Sequence, residues 1–303
     1  MSKHNGKSAE IMSDARLSKL LGRCQKTESI GIISGVLLIA AGVIYVLISR
    51  DTLIFSAILL VGLACIFLIA RTAQKKKKAL IDSRLGGFFA SELKKAFGEN
   101  HVPPTLPIDA SFMKTAGLVH APWETFEASD FYEGEHNGTH FSAANVSLRR
   151  TDTAQNVMRD ATMHETHVFS GIVVRCAGDF SAFDNAILYD PTPPDEGKGK
   201  PEILPTAFDR FSVRYTDGRN ADETVKARLC SFAERFEQTV GGTIVGLSVA
   251  NGDLSVAVHT YHVFANISPS FDARDVEGMR RAFTYSLSLA GKAVDTLASF
   301  AEK

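Results

Sequence analysis

Tryptophan occurs once and cysteine four times in 303 residues, and no Cys-x-x-Cys pair is present. Cys24, Cys65, Cys176 and Cys230 are too few and too scattered to frame a disulfide scaffold or a thiolate zinc site. The chain also lacks Gly-x-Ser-x-Gly, a P-loop and a Gly-x-Gly-x-x-Gly that opens a helix after a strand. The hydrolase, nucleotide and dinucleotide templates therefore have no nucleophile elbow or phosphate cradle to build on. With 33 basic against 34 acidic residues there is no global cationic field for a nucleic acid backbone. Charge is missing locally as well, since residues 30–49 and 53–70 contain no charged side chain.

What is there, first, is a pair of greasy segments. The first run is 20 residues long, and at about 1.5 Å per residue it spans roughly 30 Å, the hydrocarbon thickness of a bilayer. The second is 18 residues, and only Arg50, Asp51 and Thr52 separate the two. A turn that short must sit at the polar interface, because hydrocarbon supplies no partner for its backbone groups. The expectation is a transmembrane helical hairpin. Gly31 and Gly35, with Ser34 and Gly42 nearby, offer a small-residue face on the first helix, and Ser56, Ala57 and Gly62 do so on the second.

Basic residues orient the hairpin. Lys3, Lys7, Arg16, Lys19, Arg23 and Lys26 precede it, and Lys75, Lys76, Lys77 and Lys78 stand among the eight lysines and arginines of residues 71–95. The turn holds one. The positive-inside rule then places both termini in the cytoplasm of a cell bounded by an inner membrane. A cleaved signal peptide fits less well, because a second span follows at once. The four lysines are expected to touch lipid headgroups. On this topology the glycosylation-type triplets at Asn137, Asn145 and Asn266 are chance matches.

Residues 1–79 carry 12 basic and 4 acidic side chains, so the remainder has 21 against 30, a net charge near −9. The chain is expected to divide into a cytoplasmic segment at 1–29, the transmembrane hairpin at 30–70, a basic junction with a juxtamembrane helix at 71–107 and a soluble α+β domain at 108–303. The spacing of Ile81, Leu85, Phe88, Phe89, Leu93, Ala96 and Phe97 predicts a helix over 80–98, weakened at Gly86 and Gly87 by about 2 kcal/mol relative to alanine. Pro103, Pro104 and Pro107 then break the chain.

Strand signals begin at Phe131. Asn137-Gly138 supplies the positive φ angles of a tight hairpin between 131–135 and 139–148. Residues 168–176, apolar and β-branched, predict a central strand, and residues 190–205, with five prolines, an exposed loop. Phe211, Val213 and Tyr215 alternate as in a half-buried strand. A helix over 221–238, capped by Asn220 and Glu223, carries the stripe Val225, Leu229, Phe232 and Phe236. Residues 243–249 and 254–264 make a second hairpin across Asn251-Gly252-Asp253. A last helix, 274–301, repeats apolar residues from Val276 to Ala301 by threes and fours. Hairpins with helices between and after them favour a mainly antiparallel sheet covered by helices on one face. A dimeric coiled coil is the alternative use of the last stripe.

The two spans, the basic junction, and the segments around Gly138 to Phe141, Phe169 to Gly171, and Phe211, Val213, Tyr215 and Asp217 together resemble a bacterial two-span membrane-protein family known only as a domain of unknown function (DUF3137). The chain departs from that pattern at Asn145, where members carry glutamate, and lacks a proline in the following helix. The resemblance implies a fold and a topology and brings no catalytic residue.

Candidate chemistry is sparse. His164 and His167 are three apart, whereas the metalloprotease motif needs a spacing of four on a helix. His259 and His262 fall on opposite faces of a strand. A metal site would have to assemble across strands from His136, His140 and one of these. Cys176 and Cys230 have no neighbour that lowers a thiol pKa and read as buried structural cysteines. Phe131, Tyr132, Glu133, Gly134 and Glu135 mark either a binding edge or cross-strand packing. No catalytic, cofactor-binding or metal residue is assigned. The leading expectation is a non-catalytic cytoplasmic domain, tethered to the bilayer, that binds a protein or small ligand but not nucleic acid. A membrane-bound hydrolase or metal enzyme with a histidine and acidic site is the second expectation. The third is a structural subunit of an envelope assembly formed by homo-oligomerisation.

Overall fold

Thirty-six residues with no proline form the first helix, α1 (Asp14–Ser49), which runs straight through the first apolar segment. In the computed structural model, which describes residues 14–49, 52–154, 162–180, 183, 185–191, 207–250, 252–260, 263–267, 271–272 and 274–301, a second helix follows as α2 (Thr52–Ala64). It continues through a π-helical stretch (Cys65–Ala70) into α3 (Arg71–Phe97). The helices 14–49 and 54–97 are each long and apolar enough to cross a membrane. Their surfaces also suit lipid. Among the described residues, every exposed large hydrophobic side chain except Val102 and Tyr285 lies between positions 30 and 69. Water would penalise that concentration by about 25 cal/mol per Å2, and a bilayer removes the penalty. The expected loop at 190–205 lies almost wholly outside the described residues, as does the turn at Arg50 and Asp51.

The chain forms two compact units. One comprises residues 1–90 and 269–282, the other 91–268 and 283–303. In the first unit α1 packs on α2 through glycines. A Cβ on Gly35 would lie 2.4 Å from Ile66 Cγ1 and 2.7 Å from the Gly62 carbonyl, so only glycine permits this approach. Gly31 and Gly42 sit on the same face, against Ile69 and Ile58. Arg280 Nη1 reaches Asp14 Oδ2 at 2.7 Å, and Ser18 Oγ donates to the Arg274 carbonyl. Gly86 and Gly87 do not interrupt α3; a Cβ on either would meet no side chain or other element within 4 Å, so the propensity cost is borne without a break.

The second unit is built on a seven-stranded sheet, antiparallel throughout, in the order β1-β2-β3-β7-β6-β4-β5. The strands are β1 (Thr125–His136), β2 (Thr139–Ala154), β3 (Thr162–Cys176), β4 (Ala186–Tyr189), β5 (Ser212–Tyr215), β6 (Thr243–Ala250) and β7 (Asp253–His259). Asn137 (φ 50°) and Gly138 (φ 82°) close the β1–β2 turn, as the sequence implies. The helices are α4 (Ala110–Ala116), the single turn α5 (Ala207–Arg210), α6 (Glu223–Val240) and α7 (Val276–Ala301). This is the expected α+β architecture with an antiparallel sheet.

Both faces of the sheet are covered, whereas the sequence pointed to one. Phe232 of α6 and Phe300 of α7 meet at 4.5 Å between ring centroids on one face, and Phe97 packs on Phe141 at 5.0 Å. On the other, Met113 and Ala116 of α4, with Ile108, Leu118 and Val119, bury Ala144, Val146, Leu148, Phe169, Val173 and Ala257. Three further boundaries differ. The cap of α6 is Asp222, which accepts from Val225 N at 2.8 Å, because Asn220 is held in a bridge to Arg214. Strand β7 stops at His259, not Phe264, because the Asn145 amide takes both backbone groups of Phe264. The segment holding His164 and His167 belongs to β3 rather than preceding it.

A groove and a carboxylate latch on the sheet

Where the helical layer ends, the same face of β1, β2 and β3 is left open. A groove of about 550 Å3 lies there, lined by Glu127, Ser129, Asn145, Ser147, Ser170 and Thr260, with Val263 at its rim. The alternation of the strands puts these side chains on one face: Glu127 pairs with Ser147, Ser129 with Asn145, and Ser147 with Ser170. The floor is rigid. Asn145 donates to Asp130 Oδ2 and the Phe264 carbonyl, both at 2.9 Å, and accepts from Phe264 N at 2.8 Å. Asn266 and Ser129 occupy the rest of the Asp130 carboxylate. Asp130 itself has φ 54°, at a bulge that shifts the β1–β2 register between Ser129 and Tyr132. Arg149 bridges Glu127 at 3.1 Å and Glu165 at 3.3 Å beside the groove. Among the described residues no lysine or arginine lines it.

A second cluster gathers around Glu133, whose carboxylate is fully buried. It accepts from Thr105 N, Thr105 Oγ1, Leu106 N at 3.0 Å and His140 Nε2 at 3.0 Å. Burial acts to raise its pKa, but the donors from Thr105, Leu106 and His140 outweigh that and hold it below the ordinary glutamate value. The His101 ring stands edge-on to His140 at 4.9 Å. The chemistry is that of a latch. In a nucleophile–histidine–acid relay the hydroxyl and the carboxylate engage opposite ring nitrogens. Here Thr105 Oγ1 and Glu133 Oε1 both approach Nε2 of His140, at 3.1 and 3.0 Å, so no proton can be relayed through the ring. The carboxylate instead fastens the proline-rich segment 99–107 to β1, with help from Asn100 Oδ1 on Glu133 N and His101 N on the Glu133 carbonyl.

No protein-family model matches the chain, and no curated protein or solved structure does either.

The residues singled out in the sequence are dispersed. His136 and His140 project from opposite faces of the β1–β2 hairpin. His136 packs on Phe97 and lies 3.5 Å from Asp295, whereas His140 faces Glu133. His167 and His259 are exposed, and His262 is outside the described residues. Among the described residues no three histidine, cysteine or acidic side chains gather to hold a metal. Cys176 and Cys230 are buried, and burial pushes both thiols above their ordinary pKa, with Asp253 adding to the effect at Cys176. Cys24 lies half-buried on α1. Tyr132 and Glu133 point inward rather than forming an edge, and Glu135 is exposed. Lys75, Lys76 and Lys78 are exposed on α3 directly after the second apolar segment, with Lys77 half-buried.

Sequence reasoning missed the groove. Its only forward sign is the run of small polar residues at alternate positions, Ser129, Asn145, Ser147 and Ser170, where a covered sheet face would carry aliphatic side chains.

Proposed function

We propose that this protein is a membrane-tethered binding module of the two-span family it resembles, with its α+β unit and both ends in the cytoplasm beneath a bacterial inner membrane. The single observation that carries the reading is the polar groove on β1, β2 and β3: a preformed concavity of about 550 Å3 with a hydrogen-bonded floor. The distribution of lysine and arginine around the apolar helices supports the topology. Lys75, Lys76, Lys77 and Lys78 hold α3 at anionic headgroups. Binding, rather than turnover, is favoured because His140, beside a buried carboxylate and a hydroxyl, meets both through the same nitrogen. Among the described residues the groove's lining offers no cation for a phosphate backbone, which favours a protein or small-molecule ligand over nucleic acid. Homo-oligomerisation through the first unit would have to use faces other than Gly31, Gly35 and Gly62, which the two helices already use on each other.

The test is capture of a partner or metabolite by the full-length protein in lipid nanodiscs, compared with Ser147→Trp, which fills the groove from a half-buried strand position. Retention by the wild type and loss in the variant is the expected result. Equal retention by both, or turnover of a substrate by the wild type with no retained ligand, overturns the reading.

A further inference from the structure

The groove does not end at its polar floor. Thr260 and Val263 also line a second, narrower cavity between α7 and the sheet, walled by Ile172, Val174, Val258, Leu289, Ala290 and Ala293. Strand β3 runs through both. Ser170, Ile172 and Val174 are successive residues of one face, spaced by about 6.6 Å per pair, and they pass from exposed to half-buried to buried. Across from them Val258 pairs with Ile172 and is buried as well. Ser286, the polar side chain α7 contributes to this slot, already donates to the Phe283 carbonyl. Polarity thus falls along one line, from a hydroxyl-rich mouth into a mainly apolar slot. Among the described residues the lining carries one charge, Glu127, with four hydroxyls; Arg149 beside the groove is shared between Glu127 and Glu165, which leaves the three-residue cluster with a net negative charge. Glu127 is more than half exposed and has acceptor sites beyond its bond to Arg149.

We propose that this composite site takes an amphipathic aliphatic amine, its ammonium held at the mouth by Glu127 and the hydroxyls of Ser129, Ser147, Ser170 and Thr260, its alkyl end lying over Ile172 toward Val174. The proposal rests on the groove's being a binding site. The slot is narrow, about 30 Å3, so it accepts only the first few methylenes of a chain. A carboxylate head is disfavoured because it would face Glu127, and the one guanidinium beside the mouth, Arg149, is already committed to both Glu127 and Glu165.

The experiment titrates full-length protein in nanodiscs with ethylamine, butylamine, octylamine and butyrate, read by calorimetry and by saturation-transfer NMR. Butylamine is expected to bind about fifteenfold more tightly than ethylamine, from roughly fourfold for each of two buried methylenes, with little further gain at octylamine. Butyrate is expected not to bind. Glu127→Gln weakens butylamine severalfold and leaves the fold intact, since Arg149 keeps Glu165. Ala290→Leu, which fills the slot, removes the difference between ethylamine and butylamine. Equal binding of butylamine and butyrate, or affinity independent of chain length in the wild type, overturns the proposal. If no amine binds while Ser147→Trp still abolishes capture of a cellular ligand, the amine proposal falls and the binding reading stands. If neither occurs, both fall.

Discussion

Replacing Glu133 by alanine tests whether a single buried carboxylate fastens residues 99–107 to the sheet. The change removes the acceptor for Thr105 N, Thr105 Oγ1, Leu106 N and His140 Nε2. Thr105 is exposed and the His140 side chain is 30% exposed, so water re-solvates their donors. Leu106 is buried, and its amide is left without a partner. An orphaned buried donor costs about 1–3 kcal/mol, and breaking a buried ion pair from one side about 3–5. Solvent access puts the expected loss at the lower end, about 3 kcal/mol. For urea unfolding of the full-length protein in detergent, followed by Trp123, the only tryptophan, the midpoint should fall by roughly 1 M. The isosteric Glu133→Gln loses less, about 2 kcal/mol, and separates charge from shape.

Acid titration adds an independent sign. The folded pKa of Glu133 lies below its ordinary value of 4.5, so its stabilisation is complete above that value and disappears as pH falls through the lowered folded pKa. Wild type should therefore lose stability in this acid window more steeply than Glu133→Gln, which has no proton to take up there. A midpoint for Glu133→Ala within 0.2 M of wild type, or parallel acid slopes for wild type and Glu133→Gln, would refute the latch.

Gly246→Ala and Gly86→Ala should move stability in opposite directions. A Cβ on Gly246 would overlap the Leu118 carbonyl oxygen, far inside van der Waals contact, and should destabilise, whereas Gly86 has open space and should gain about 1 kcal/mol in helix propensity; thermal unfolding measures both. Asp222→Ala should cost about 1 kcal/mol as the loss of the α6 cap, with Asn220→Ala losing less, again by thermal unfolding. Gly35→Leu should push α1 away from α2 and lower the detergent melting temperature, because its side chain would enter the space of Ile66 and the Gly62 backbone. An unchanged melting temperature would mean that the helices do not meet there.

Local chemistry made much of this fold readable before any coordinates. Asn137-Gly138 admits few backbone conformations other than the turn it adopts, and the spacing of Leu229, Phe232 and Phe236 leaves α6 one face to bury. What escaped was decided at a distance. Strand β4 is four residues long, too short for alternation to register, and is defined by its neighbours β5 and β6. The seven residues of α4 carry no helical repeat, yet Met113 and Ala116 close the second sheet face. The end of β7 is set by Asn145, 119 residues away along the chain from Phe264. The candidate site escaped for the same reason: serines and an asparagine on three strands look like ordinary solvent-facing positions until the strands pair and the helices stop short of them. Glu133 likewise reads as an edge carboxylate until Thr105 and Leu106 fold over it.

The most direct test of the account is the side of the membrane on which the sheet lies. In a background with its four cysteines replaced, single cysteines are introduced at Glu165, exposed on β3, and at Asp51, between the two apolar segments. An impermeant maleimide added to intact spheroplasts should label position 51 and leave position 165 unreacted until the cells are lysed. Labelling of position 165 in intact cells, with position 51 silent, would contradict a domain tethered on the cytoplasmic side by two crossings.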